Sequence, residues 1–230
     1  MTVIKYLGHA AFELRLKGLD GAMKTILIDP WLTNPLSPID PDSYIKEVEK
    51  VDYIIVTHDH GDHLGETVSI AKKTGATVVA IFDLAVELEK KGLRVIGANV
   101  GGRIKVNDLF IVLTPAIHSA EHGNPVGVVI GGPDIKVYHA GDTGLFAEMQ
   151  FIHELYNPDI ALLPIGGHFT MGIEEAVKAV ELLKPKIAVP MHYNTFPPIK
   201  ADPARFKELV EKKTTTKVVI LKPGEKLEYP

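Results

Sequence analysis

The sequence predicts a four-layer αββα sandwich, an α/β fold in which two sheets pack face to face and helices cover both outer faces. Three observations predict it. Short apolar runs bounded by glycine, proline and aspartate read as buried strands, and several are followed by segments of helical period. That order, strands first and then strand–helix alternation, occurs twice, without a close sequence repeat between the halves. The chain has 230 residues, 46% hydrophobic and 23% charged, enough to fill one core as a single domain, residues 1–230. Two such halves bury their apolar faces by packing sheet on sheet.

In the first half, residues 3–7 are a short apolar run. Residues 11–16 alternate Phe12, Leu14 and Leu16 against Glu13 and Arg15, the pattern of a half-buried strand. Lys17-Gly18-Leu19-Asp20-Gly21 reads as a hairpin turn. Residues 25–28 form a buried strand that stops at Asp29-Pro30, and Pro35, Pro38 and Pro41 make residues 31–41 an ordered loop. A strand at 53–57 runs into His58, and a helical pattern continues to Lys73, closed by Thr74-Gly75. A strand at 77–81 and a helix at 84–90, closed by Gly92, end this half. In the second half, strands are expected at 109–113, 126–130, 136–139, 160–163, 187–189 and, last, 218–221. Helices are expected at 145–155, 173–183 and 203–213; in the middle one, Ile173, Ala176, Val177, Val180 and Leu183 share a face, and Pro185 stops it.

Composition removes several function classes. The net charge is −4 and no basic run is longer than a pair such as Lys212-Lys213, so there is no strong nucleic-acid signal. There is no cysteine, which excludes disulfides, thiolate ligands and a cysteine nucleophile. A metal site in this chain is built from His, Asp and Glu. No apolar run approaches the ~18 residues that span a bilayer, and the amino terminus does not read as a signal peptide, so no membrane association and a cytoplasmic location are expected.

The sharpest feature is His58-Asp59-His60-Gly61-Asp62-His63. It follows a buried strand and precedes a helix, the place where ligand sites form in α/β sheets. On an extended backbone His58 and His60 point to one side. Asp62 and His63 lie in the turn into the helix. Three of the chain's 10 histidines fall in these six positions, which is too dense for a solvated polar loop. Closed structural zinc sites normally use cysteine, so an all-His/Asp set favours an open, catalytic arrangement. Single donors also follow three other strands: His118 after Thr114-Pro115, Asp142 in Gly141-Asp142-Thr143-Gly144, and His192 in Pro190-Met191-His192-Tyr193-Asn194.

The His-x-His-x-Asp-His run, the later His118, Asp142 in Gly-Asp-Thr-Gly and the final His192 resemble the metallo-β-lactamase superfamily across nearly the whole chain. Gly8-His9, the Pro164-Ile165-Gly166-Gly167-His168-Phe169-Thr170 segment and Pro190-Met191-His192-Tyr193-Asn194-Thr195-Phe196 are similar to its metal-dependent hydrolase branch, related to the ascorbate-phosphate lactonases. The resemblance implies the metallo-β-lactamase fold and a dinuclear site for two divalent metal ions, Zn or Mn. His58, His60 and His118 are the implied ligands of one ion, Asp62, His63 and His192 of the other, and Asp142 the bridge. Cysteine, used near the second metal by many lactamases, is absent, and His60 stands where di-iron electron-transfer relatives carry Glu, which argues for hydrolysis.

The activity expected on that basis is hydrolysis of a phosphodiester or a cyclic ester (lactone) of a small-molecule substrate by a hydroxide that the two metals share. The alternative is a non-catalytic, metal-dependent binder of a phosphorylated small molecule. Asp62 is expected both to ligate and to orient the nucleophile. His168, in a glycine-rich loop after strand 160–163, is the expected general acid. His9 and Asn194 are read as substrate-binding, with support of the metals or of the turn as their alternatives. Asp29 is placed to orient a ligand histidine, and His139 reads as a satisfied core histidine. A homo-oligomer is expected by resemblance, and the loop at 31–41, with Trp31, as a lid or a subunit contact.

Overall fold

The structure is a computed structural model that describes residues 1–18, 21–106 and 109–230. Strands β1 (Thr2–Tyr6), β2 (Phe12–Lys17) and β3 (Met23–Ile28) form an antiparallel meander. The β2–β3 register pairs Lys17 with Met23, so the chain reverses here; Leu19 and Asp20 of the expected turn lie outside the described residues. Helix α1 (Pro41–Glu47) precedes β4 (Tyr53–Ile55). Helices α2 (Gly61–Leu64) and α3 (Thr67–Thr74) lead to β5 (Thr77–Ile81), and α4 (Phe82–Lys90) to β6 (Val95–Ala98).

The second half repeats the plan. Strands β7 (Arg103–Val106), β8 (Leu109–Pro115), β9 (Val126–Gly131) and β10 (Lys136–His139) are antiparallel. Helix α5 (Met149–Tyr156), β11 (Ile160–Pro164), α6 (Ile173–Leu183), β12 (Ile187–Met191), α7 (Pro203–Lys213) and β13 (Lys217–Val218) follow with parallel pairing. The last strand, β14 (Lys226–Tyr229), crosses back and pairs with β1. The two seven-stranded sheets run β14-β1-β2-β3-β4-β5-β6 and β13-β12-β11-β10-β9-β8-β7, the two sheets of the expected αββα sandwich. No helix among the described residues is long and apolar enough to cross a membrane.

Interior strands such as β9 and β11 are buried at every position, so their side chains fill the core on both faces. The strands absent from the sequence reading, β6, β7 and β14, are edge strands in which every residue but Val106 is exposed or partly so. The strand expected at 218–221 is confined to β13. Two helices also differ from expectation. The expected run to Lys73 breaks at Gly65, where φ is 42° and an added Cβ would stand 2.5 Å from Trp31 Cα, so only glycine lets the Trp31 loop lie against the α2–α3 junction. Helix α5 begins four residues later than the expected 145–155.

The proline-rich loop expected at 31–41 ends in a helix. Asp40 caps α1 by accepting a hydrogen bond from Ser43 N at 3.0 Å, and Pro41 occupies the first helical position. That helix explains Glu13, which the alternating pattern puts on an open face but which is buried. Its carboxylate accepts from Tyr44 Oη on α1 at 2.7 Å and from Arg15 Nε at 2.9 Å. Left unpaired there, a carboxylate would be severely destabilising.

Candidate metal centre

Most groups of the site sit beyond the carboxyl end of a strand. His9 follows β1, Asp29 β3, His58 and His60 β4, His118 β8, Asp142 β10 and His192 β12. Helix α2 contributes Asp62 and His63. The sharp turn before Asp142 depends on Gly141, whose φ is 60° and whose Cβ would meet Val126 O at 2.6 Å. Three further residues here have left-handed backbone without being glycine: His9 (φ 54°), Asp29 (φ 46°) and His192 (φ 53°). Such conformations are uncommon and concentrate at functional sites. His192 N donates to His9 O at 2.8 Å, which ties the first and last of these turns together.

The donors form two groups that meet at Asp142. His58, His60 and His118 offer nitrogens within 4.8 Å of one another, and so do His9, Asp62, His63 and His192 with their nitrogens and oxygen. Asp142 Oδ1 lies 3.2 Å from His63 Nε2. Its Oδ2 lies 3.1 Å from His192 Nε2, 3.5 Å from His118 Nε2 and 4.0 Å from His58 Nε2.

The residues fit metal ions on two counts. His63 Nε2, His192 Nε2 and Asp142 Oδ1 are buried and make no properly directed hydrogen bond, although buried polar atoms are nearly always satisfied. His58 Nε2 and His60 Nδ1 are 3.0 Å apart, close to the ~3.3 Å separating two nitrogens on one tetrahedral zinc ion. The far sides of the rings are fixed. Asp29 Oδ2 accepts from His63 Nδ1 at 2.7 Å, and Asp29 is itself held by Thr57 N at 2.8 Å and Thr57 Oγ1 at 2.7 Å. Thr57 Oγ1 lies 3.1 Å from His58 Nδ1. A carboxylate behind a ligand histidine sets its tautomer and orientation.

The charges of the centre are coupled. Burial opposes charge on His63, but Asp142 and Asp29 on either side outweigh it and hold the imidazole well above its usual range. Burial pushes the Asp142 carboxyl up, yet His63 and His192 bring it well below the ordinary carboxylate range. Burial lowers His9 to about 4, assisted by the neighbouring imidazoles and opposed by Asp62. A neutral His9 has one ring proton; donated from Nε2 to Asp62 Oδ2 at 3.1 Å, it leaves Nδ1 to accept from Thr195 Oγ1 at 2.9 Å.

The structure brings together all seven expected ligand residues, His58, His60, Asp62, His63, His118, Asp142 and His192. The structure places the other three expected site residues as follows. His168 is exposed, at φ 59°, with its ring edge-on to Phe169 at 4.4 Å; it is Phe169 that lines the pocket beside the donors. His9 is fully buried and braces Asp62, in keeping with the supporting role that was its alternative. Asn194 is exposed and fixes its own turn, its N donating to Ile199 O at 2.8 Å and its Oδ1 accepting from Ala201 N at 3.0 Å. His139 is a satisfied core histidine between Ala10 O and Gly141 N. Trp31 does not roof the pocket as a free lid: Glu66 accepts from Leu32 N and Thr33 N, and the indole stacks on Phe196.

Sequence reasoning missed Thr57, Phe169, Phe196 and Asp59, and read Thr195 as a substrate donor or a turn residue rather than as the partner of His9. Asp59, inside the dense motif, accepts from Glu121 N, His122 N and His122 Nδ1 at 2.9, 2.9 and 2.7 Å, and so latches the loop that carries His118. A carboxylate between two histidines was the available signal.

Residues 24–193 match the β-lactamase superfamily domain. The UPF0173 metal-dependent hydrolase of Staphylothermus marinus is 65% identical over 230 residues, covering 100% of both chains. That of Thermofilum pendens is 61% identical over 230 residues, again 100% of both. The solved structure of Igni18, a novel metallo hydrolase from the hyperthermophilic archaeon Ignicoccus hospitalis, superposes with a TM-score of 0.93 at 49% identity, covering 100% of each chain.

Proposed function

This chain belongs to the UPF0173 metal-dependent hydrolases of the β-lactamase superfamily, and from that premise we propose that it hydrolyses a phosphodiester or cyclic ester of a small molecule in the cytoplasm, with two divalent ions, Zn or Mn. His58, His60 and His118 would hold one ion, Asp62, His63 and His192 the other, with Asp142 shared. The observation that carries this reading is the single oxygen Asp142 Oδ2, which lies within 4.0 Å of nitrogens from both sets. Bound there, divalent ions supply water acidified toward a pKa of about 7 and a Lewis-acid contact for the oxyanion that develops on the substrate.

The chain's own residues do the rest. Asp62 faces the pocket. Burial raises its carboxyl, but the hydrogen bond from His9 and the charge of His63 hold it below the usual range, so it stays ionised, a hydrogen-bond acceptor that orients the attacking water. Ser119, at the pocket wall, is a neutral donor for a substrate oxygen.

The test is metal content by elemental analysis, with phosphodiesters and lactones screened in parallel. About two ions per wild-type chain are expected. Asp142→Ala should lose at least one, and kcat/KM should fall by roughly 1,000-fold, the order of several kcal/mol of lost oxyanion stabilisation. One ion in both proteins, or an unchanged rate, overturns the shared-carboxylate reading.

A further inference from the structure

The pocket beside the donors encloses about 300 Å³. Apart from five of the proposed metal ligands, its wall consists of Ser119, Phe169 and Phe196, and no lysine or arginine lines it among the described residues. Anionic groups of a substrate are ordinarily clamped by arginine, lysine or converging N–H donors. A substrate carrying a phosphate away from its reacting bond finds no cationic side chain on this wall.

What the wall offers is aromatic surface. Phe196 is a fixed floor: it stacks on Trp31, ring centres 5.8 Å apart at 27°, and meets His9 at 5.6 Å. Phe169 is 51% exposed. Its loop is anchored, because Met171 N donates to Thr143 O at 2.9 Å, next to Asp142, and Phe169 N to Gly167 O at 2.6 Å. An anchored, half-exposed phenyl ring beside a polar centre gains by covering its face with apolar substrate surface.

We propose that the substrate is an uncharged carboxylic ester, open or cyclic, whose small apolar substituent packs on Phe169 and Phe196. This rests on the hydrolytic reading of the same centre. The oxygen of the attacking water bonds to the ester carbon and the carbon–alkoxy bond breaks. The departing oxygen takes up the proton that water has lost, leaving an alcohol and a carboxylate, with the second proton released to solvent.

The test uses the metal-loaded full chain. The rates of p-nitrophenyl acetate, butyrate and hexanoate, and of γ-lactones with lengthening side chains, are compared with that of bis(p-nitrophenyl) phosphate. For the esters, kcat/KM should rise by up to about four-fold per added methylene until the pocket is filled. Phe169→Ala should flatten that rise to under two-fold with metal content unchanged, and the phosphodiester should be at least ten-fold slower than the best ester. A phosphodiester faster than every ester, or a flat dependence on chain length in the wild type, overturns the proposal while leaving the hydrolytic reading intact. If no compound is hydrolysed, the hydrolytic reading fails, and binding decides the substrate class. Trp31 is the sole tryptophan and stacks on Phe196, so its fluorescence reports titrations with butanoate, hexanoate, octanoate and hexyl phosphate. Affinity that climbs with chain length and exceeds that of the phosphate supports the proposal; equal affinity for all four overturns it.

Discussion

His63 and Asp142 are buried, and His63 is backed by Asp29, which is in turn fixed by Thr57. Phe169, across the pocket, stands half in water on a loop held by a few backbone hydrogen bonds. The donor ring thus has its geometry fixed from behind by a buried polar network, whereas the wall has its position set by one loop and its surface left open. A change within the ring should spread, because each group orients the next. A change in the wall should alter which substrate is preferred and leave the ions in place. Phe169→Ala and Asp142→Ala mark the two extremes, and three further experiments probe the ground between them.

The largest effect after Asp142 itself is expected from Asp29→Asn. Asparagine tolerates the left-handed backbone at this position, φ 46°, so the turn is retained. One carboxylate oxygen becomes an amide nitrogen, and either Thr57 or His63 loses its acceptor. Metal affinity at the set containing His63 should drop by about 10- to 100-fold, while the set of His58, His60 and His118 changes less. Competition titrations with a chromophoric chelator resolve the two steps. Equal weakening of both would mean that the two sets do not act as separate sites.

Next in size is the dependence of metal binding on pH. His63, flanked by Asp142 and Asp29, has its pKa raised, so at neutral pH the metal-free imidazole is protonated. A metal requires the neutral ring, so binding displaces that proton. Affinity should therefore strengthen as pH rises, by roughly tenfold per unit while the proton remains to be displaced, and flatten above the raised pKa. Calorimetry in buffers of different ionisation enthalpy counts the protons released near pH 7. A count of zero would contradict a protonated His63.

The same contrast governs what could be read from the chain. The ring was legible because its residues are chemically rare and stand where strands end: His58, His60, Asp62 and His63 in one run, then His118, Asp142 and His192 singly. Their partners were less so, since Thr57 and Thr195 are ordinary residues until the fold brings them to a ring nitrogen. The wall was harder to read for a related reason. In the 166–170 loop the titratable His168 drew attention, but in a glycine turn no periodicity dictates which side chain faces inward, and Phe169 does. The sheets repeat the lesson. Strands β9 and β11, buried on both faces, announce themselves as unbroken apolar runs. Edge strands β6, β7 and β14 bury too little to leave a pattern, and their pairing comes from the neighbour already in place.

Thr195→Val should give the smallest effect in the ring and locates its boundary. Valine keeps the shape of threonine but removes the hydroxyl that lies 2.9 Å from His9 Nδ1. His9 is neutral at working pH because burial lowers it to about 4, so Nδ1 is an acceptor that the substitution leaves unpaired. With that partner gone, the ring proton is no longer confined to Nε2, and its hold on Asp62 Oδ2 at 3.1 Å loosens. A loss of about 1 kcal/mol in transition-state stabilisation corresponds to roughly five-fold in kcat, with metal content and KM near wild type. Thr195→Ser, which restores the hydroxyl, should return the rate. A drop that serine does not rescue would mean that the side chain acts through packing alone, and that the polar network ends at His9.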